Sequence, residues 1–141
     1  MGTKQRVDAK KQTPAQLKKT LDIVFSVYIR LRDNGTCITC GSMKPWKEQQ
    51  NGHFFSRQYL ATRWDEENCN CQCVGCNVFR SGNMAIYAVK ITEKYGPKVI
   101  QKLDRQRQKI TKMTREDYLE MIHKYQKKID KIRADNEKSP T

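Results

Sequence analysis

Leu17, Leu21, Val24, Tyr28 and Leu31 recur at spacings of three and four residues. That is the helical period, and it predicts a helix with one apolar face running to about Asp33-Asn34-Gly35. Thr13-Pro14 gives it a start, with Thr as N-cap and Pro at the first helical position. Gly35 suits a left-handed stop. Lys18, Lys19, Arg30 and Arg32 fall mostly off the apolar face. The last third repeats this style. Pro97 to Ile110 reads as one helix, and Thr114-Arg115-Glu116-Asp117 as a capping-box variant opening another. Tyr118, Met121, Ile122, Tyr125, Ile129 and Ile132 form the second helix's stripe. Ala134 to Thr141 is expected to fray, and Met1 to Gln12 to be a disordered basic arm.

Between these helices the long period disappears. Asn51-Gly52-His53-Phe54-Phe55 reads as a turn entering a short strand, and Tyr59 to Asp65 as a second extended stretch. Cys69, Cys71 and Cys73 occupy alternate positions, on one side of an extended chain. After Cys76 the pattern turns helical, breaks at Ser81-Gly82, and resumes with Ala85, Ile86, Val89, Ile91 and Tyr95 up to Gly96-Pro97. The expected organisation is α+β, a small mixed centre over 37–96 between helical flanks at 1–36 and 97–141.

Charge adds a partner class. The chain of 141 residues carries 28 Lys+Arg against 15 Asp+Glu, a net of +13. The two flanks hold most of the excess, and the centre is nearly balanced. Such a field attracts polyanions, and phosphate contacts supply most non-specific affinity for nucleic acid. A solvated lysine face is the plainer alternative. An acidic membrane surface is disfavoured, because no helix pairs its lysines with a large apolar face of the interfacial kind. Nothing approaches the apolar length of a membrane span, and the first residues hold no secretory signal, so a cytoplasmic setting is expected.

In that reducing setting cysteine pairs more often bind metal than form disulfides. Cys37-Ile-Thr-Cys40 and Cys73-Val-Gly-Cys76 can supply four thiolates to one tetrahedral zinc. A closed four-thiolate shell leaves no place for water, so this zinc is structural. Cys71 could replace Cys73, but only Cys73 and Cys76 have knuckle spacing, and Cys69 and Cys71 are expected to be small buried thiols. The long insert between the knuckles contains His53, and Asn77 directly follows the last cysteine. Phosphodiester hydrolysis needs a water deprotonated near neutral pH, for which imidazole is suited. It also needs a cation to stabilise growing oxyanion charge. Magnesium takes oxygen ligands, and Asn77 could supply one. His123 falls off its helix's apolar stripe and reads as solvated.

The sequence of motifs carries a resemblance. Asn51-Gly52-His53-Phe54, Arg63-Trp64-Asp65-Glu66-Glu67-Asn68, Gln72-Cys73-Val74-Gly75-Cys76-Asn77, and Ser81-Gly82-Asn83 with Tyr87 resemble the lambda phage NinG (Rap) recombination family. That group looks like the zinc-containing His-Me finger (HNH) endonucleases. The likeness covers about residues 30–96, and it implies a ββα-metal core with a structural zinc and a catalytic Mg or Mn. In that core His53 would be the general base, Asn68 would brace the loop holding it, and Asn77 would ligate magnesium. Related endonuclease VII resolvases place an acidic metal ligand just before the base. Here that position is Gly52, leaving Asp65, the surroundings of His53, or water to complete the shell. Arg57, Arg63, Arg80, Lys18 and Lys19 are candidate phosphate contacts. The family implies resolution of branched DNA such as Holliday junctions and D-loops, with a homodimer suited to two symmetric cuts. The alternatives are a non-catalytic zinc-dependent DNA-binding module and a general HNH nuclease acting on linear duplex.

Overall fold

Thr13 and Gln16 cap one another: the Gln16 N–H donates to Thr13 Oγ1 at 3.2 Å, and the Thr13 N–H to Gln16 Oε1 at 2.9 Å. This reciprocal box opens α1, Pro14–Arg32, in the computed structural model, which describes residues 12–138. The helix stops as expected at Gly35, whose φ is +67°. Its N–H reaches back to the Arg30 carbonyl at 3.0 Å.

Beyond α1 come a 3₁₀ turn (Trp46–Glu48) and the strand β1 (Gln50–His53). The short helix α2 (Leu60–Arg63) and the strand β2 (Cys69–Gln72) follow. A single π turn (Gly75–Phe79) leads to α3 (Met84–Tyr95), α4 (Val99–Arg107) and α5 (Arg115–Lys138). The described chain divides into two compact units, one formed by residues up to Tyr28 with those from Lys112, the other by Ile29–Thr111. The second helical flank is therefore split: α4 belongs with the cysteine-bearing unit and α5 with the other.

In the first unit Leu17, Leu21 and Phe25 are fully buried, and Tyr118, Tyr125 and Ile129 of α5 nearly so. Phe25 meets Tyr125 edge-on with centroids 4.8 Å apart. Such an aromatic pair adds about 1 kcal/mol beyond its buried area. The Asp117 N–H donates to Thr114 Oγ1 and the Thr114 N–H to Asp117 Oδ2, so the expected capping box forms. His123 is exposed, as expected. The predicted fraying does not begin at Ala134, since α5 stays helical to Lys138. Residues 1–11 of the basic arm and 139–141 lie outside the described residues.

In the second unit β1 and β2 pair antiparallel, with Gln50 opposite Gln72, Asn51 opposite Cys71, Gly52 opposite Asn70 and His53 opposite Cys69. The strand starts one residue before the predicted turn and ends at His53. Residues 60–63 of the predicted second extended stretch are helical. The reason lies in Asn68, whose carboxamide takes the carbonyls of Thr62 and Phe55 and rewards a turn there. The outer edge of β2 is covered by side chains and by the Ile38 N–H, which donates to the Cys71 carbonyl at 2.8 Å. Asp33 Oδ2 accepts the Cys71 N–H at 2.8 Å, and Arg32 donates to the Cys69 carbonyl at 3.0 Å. The core beneath the hairpin is Tyr87 and Ile91 of α3 with Val99 and Leu103 of α4. Of the apolar residues in the helical pattern, Ile91 is buried while Ile86 and Val89 point outward, because α3 is apolar on two sides and only one can face the hairpin. No helix among the described residues is long and apolar enough to cross a membrane.

Candidate functional site

The two knuckles converge as their spacing predicted. The Sγ atoms of Cys37, Cys40, Cys73 and Cys76 all lie within 4.8 Å of one another. Four thiolates that close repel each other, so complete deprotonation requires a cation between them. The donor set suits zinc, which these four residues would hold as a closed structural site. Local hydrogen bonds prepare it. Burial raises the Cys37 thiol, but the Thr39 hydroxyl and the backbone N–H groups of Cys40, Cys73 and Thr39 outweigh this and bring it down to about 6. Cys69 and Cys71 stand apart, fully buried on the hairpin. Burial, with Asp65 nearby, lifts Cys69 far above the ordinary thiol range. Burial and the charges of Asp33 and Cys37 push Cys71 up to about 12.

His53 ends β1. Its Nε2 lies 2.9 Å from the carbonyl oxygen of Arg63, the last residue of α2. A carbonyl can only accept, so Nε2 carries the proton and Nδ1 is the basic nitrogen. The Cys69 thiol shares that carbonyl at 3.4 Å. The loop after His53 is fixed by Asn68, which is fully buried. Its Oδ1 accepts the Phe55 N–H at 2.9 Å, and its Nδ2 donates to the carbonyls of Phe55 and Thr62 at 3.0 Å. The Phe54 N–H also donates to the Asn68 carbonyl at 2.8 Å. Arg107 of α4 closes the loop from outside, lying 4.7 Å over the Phe55 ring and 4.8 Å over Tyr59.

Asn77 lies on the π turn that carries Cys76. Its Nδ2 donates to Gln50 Oε1 at 2.7 Å. Pleating along β1 directs Gln50 and Gly52 to one face and Asn51 and His53 to the other. Asn77 and His53 thus attach to the two ends of one four-residue strand, from different sides. Asp65 is held by its own loop, its Oδ1 accepting the N–H groups of Glu67 at 2.8 Å and Asn68 at 3.3 Å. That makes it a brace for Asn68. Arg57 and Arg80 are exposed. Arg63 donates to the Arg57 carbonyl and stacks 5.5 Å over Trp64, beside the His53 contact. Lys18 and Lys19 lie on α1 within the other unit.

Two residues gain roles that sequence reasoning did not assign. Tyr87 is fully buried, and its hydroxyl donates to the Gly52 carbonyl at 2.7 Å, fixing the peptide just before His53. The hydroxyl also accepts from Asn70 Nδ2 at 3.2 Å. Gln72, also fully buried, donates through Nε2 to the Gly82 carbonyl at 2.9 Å and to Thr39 Oγ1 at 3.2 Å. Thr39 in turn sits 3.2 Å from Cys37 Sγ, so Gln72 orients a hydroxyl at one of the four converging sulfurs. An aromatic on a helix face and a strand amide carry no sequence signal of such long-range bonds.

Residues 2–136 match a protein-family model described as "Bacteriophage Lambda NinG protein". Over 110 residues the chain is 29% identical to "Protein ninG" of Escherichia phage 933W, covering 77% of this chain and 54% of that protein. The same-named proteins of Salmonella phage P22 and Escherichia phage lambda are 29% and 27% identical, with 77% of this chain and 53% of each relative covered. The chain spans about half the length of these curated relatives. No solved structure gives a significant match.

Proposed function

Since the chain belongs to the NinG family, we propose that it is a divalent-metal-dependent DNA endonuclease of the His-Me finger type, acting on branched recombination intermediates in the cytoplasm of a phage-infected cell. The observation that carries this reading is the imidazole of His53. It is locked in one tautomer by the Arg63 carbonyl, mounted on a loop that Asn68 clamps at three points, and set in a chain of net charge +13.

In this reading His53 Nδ1 takes the proton of the attacking water. The imidazolium that forms is stabilised where Nε2–H meets the Arg63 carbonyl, because hydrogen bonding to the charged form favours it. Asn77 would offer magnesium or manganese its carboxamide oxygen from the Gln50 side of β1, opposite His53. Such an ion supplies charge stabilisation at the leaving oxygen. With Gly52 before the base, Asp65, water or the DNA phosphate would complete the ion's oxygen shell at the His53 end of the strand. Arg57, Arg63 and Arg80 are the candidate phosphate contacts on the same unit, with Lys18 and Lys19 on the other. A homodimer suits the two cuts that a four-way junction requires.

The test compares wild type with His53→Ala on a synthetic four-way junction and on linear duplex, with Mg²⁺ or Mn²⁺. Loss of cleavage by 10²-fold or more, with junction binding and zinc content unchanged, is the expected result. If wild type binds DNA but cuts none of these substrates with either ion, the chain is instead a zinc-dependent DNA-binding module. The absence of an acid at Gly52 favours that second reading. Equal cutting of junction and duplex would make it a general nuclease.

A further inference from the structure

Phe79 is 81% exposed, and Val78 beside it is 53% exposed. A solvent-facing phenyl ring is ordinarily unfavourable, and this one is not on a loose loop. It ends the π turn that carries Cys76 and Asn77. That turn is tied down at several points. The Asn77 N–H donates to the Cys73 carbonyl at 2.9 Å, the Arg80 N–H to Gly75 at 3.0 Å, and the Gly82 N–H to Cys76 at 2.9 Å. Left-handed backbone at Ser81, Gly82 and Asn83 then turns the chain sharply into α3. Zinc-ligating cysteines and a closed turn therefore hold an aromatic ring out in water, two residues from Asn77.

Charge indicates what the ring meets. From Asn68 to Thr92 the sequence contains no Asp or Glu, while Arg80 and Lys90 are basic. The exposed arginine beside the ring, in a chain of net charge +13, attracts phosphates in preference to an uncharged partner. An exposed aromatic ring beside an exposed arginine matches the stacking platforms that hold unpaired bases. We infer that Phe79 stacks on a base that loses its stacking neighbour where the branch point opens, with Arg80 on the adjoining phosphate, and so determines the preference for branched over continuous duplex. In a continuous duplex every base is already stacked on its neighbours and offers the ring no face. The inference takes its DNA partner from the function proposed above but requires no cleavage.

The test uses the full chain with calcium replacing magnesium, so that binding is read without cutting. Its probes are a four-way junction and a fork bearing a fluorescent aminopurine at the branch, and a linear duplex of matched sequence. Phe79→Ala is expected to weaken binding to the branched probes about tenfold, the scale of one lost base stack, and to duplex less than twofold. Wild type should quench the aminopurine, Phe79→Ala should not, and Phe79→Trp should keep both affinity and quenching. Equal affinities for wild type and Phe79→Ala on branched DNA overturn the inference, as does equal loss on branched and linear probes. It is also overturned if Phe79→Ala turns a dimer into a monomer on sedimentation while leaving the affinity per protomer intact, because the ring would then be covered by a second copy. A wild type that quenches the probe but cuts nothing with Mg²⁺ or Mn²⁺ sustains the stacking role and removes the nuclease reading. A wild type that cuts junctions as well as Phe79→Ala does the reverse.

Discussion

Gln72 fills the space that a side chain on Gly52 would need. A Cβ built at position 52 would lie 2.6 Å from Gln72 Cδ and 2.7 Å from its Cγ, closer than any real contact allows. The glycine is therefore set by a neighbour on the paired strand, and the missing acid before His53 has a steric cause. Gln72 cannot simply move aside, since its Nε2 is bonded to Thr39 and to the Gly82 carbonyl.

Gly52→Asp is accordingly expected to weaken metal-dependent function rather than improve it. Gly52→Ala should destabilise the protein by about 2 kcal/mol through overpacking. It should also loosen zinc, because a displaced Gln72 no longer orients Thr39 toward Cys37. In Gly52→Ala/Gln72→Gly the clash is gone, so the double variant should be more stable than the sum of the two single effects by about 1 kcal/mol. Urea denaturation of the four proteins at saturating zinc measures this coupling. Additive effects would show that the two side chains do not compete for space.

Asp33 links pH to stability. It is paired with Arg32 at 2.8 Å and with Lys94 at 3.2 Å, and it accepts the Cys71 N–H of β2. Burial opposes its charge, but Arg32, the Cys71 N–H and Lys94 together hold the carboxyl below its ordinary value. A depressed folded pKa gives stability that is fully present above the unfolded value, about 3.9, and lost as pH falls through the folded one. Asp33→Asn should cost about 2 kcal/mol at pH 7, the scale of a charged hydrogen bond. Its deficit relative to wild type should shrink as pH drops below about 4. Paired denaturation curves from pH 7 to pH 3 check this, the loss of zinc in acid being common to both proteins. A deficit independent of pH would place the effect in packing.

The parts of this molecule that sequence reveals are the local ones. Thr13 with Gln16, and Thr114 with Asp117, sit three residues apart, and Gly35 needs only its own φ, so α1 and α5 were legible with their caps. The four cysteines were legible because each knuckle is local and one metal can join two of them. What stayed hidden depends on register. Gln72 meets Gly52 across twenty residues and Tyr87 meets it across thirty-five, and neither contact follows from the spacing of either residue. The same holds for residues 60–63, where Asn68 draws a β-tolerant stretch into a helical turn. In α3 the pattern listed Ile86, Val89 and Ile91 alike, and only the hairpin selects Ile91, with Tyr87, for the core.

The six cysteines should separate into two chemical groups. Cys37, Cys40, Cys73 and Cys76 converge, whereas Cys69 and Cys71 are buried on the hairpin with thiols held protonated. Cys73→Ser is expected to lose zinc to a competing chelator at least tenfold more readily than wild type, since it removes one of four thiolates. Cys69→Ser and Cys71→Ser should each retain one zinc per chain. They should lose about 1–2 kcal/mol of stability instead, from placing a hydroxyl in a fully buried thiol site. Elemental analysis after chelator competition reads the first quantity and denaturation reads the second. Cys71→Ser losing its zinc while Cys73→Ser kept it would move the fourth ligand to the strand. The π turn, which carries Asn77 and Phe79, would then be held to the metal through Cys76 alone.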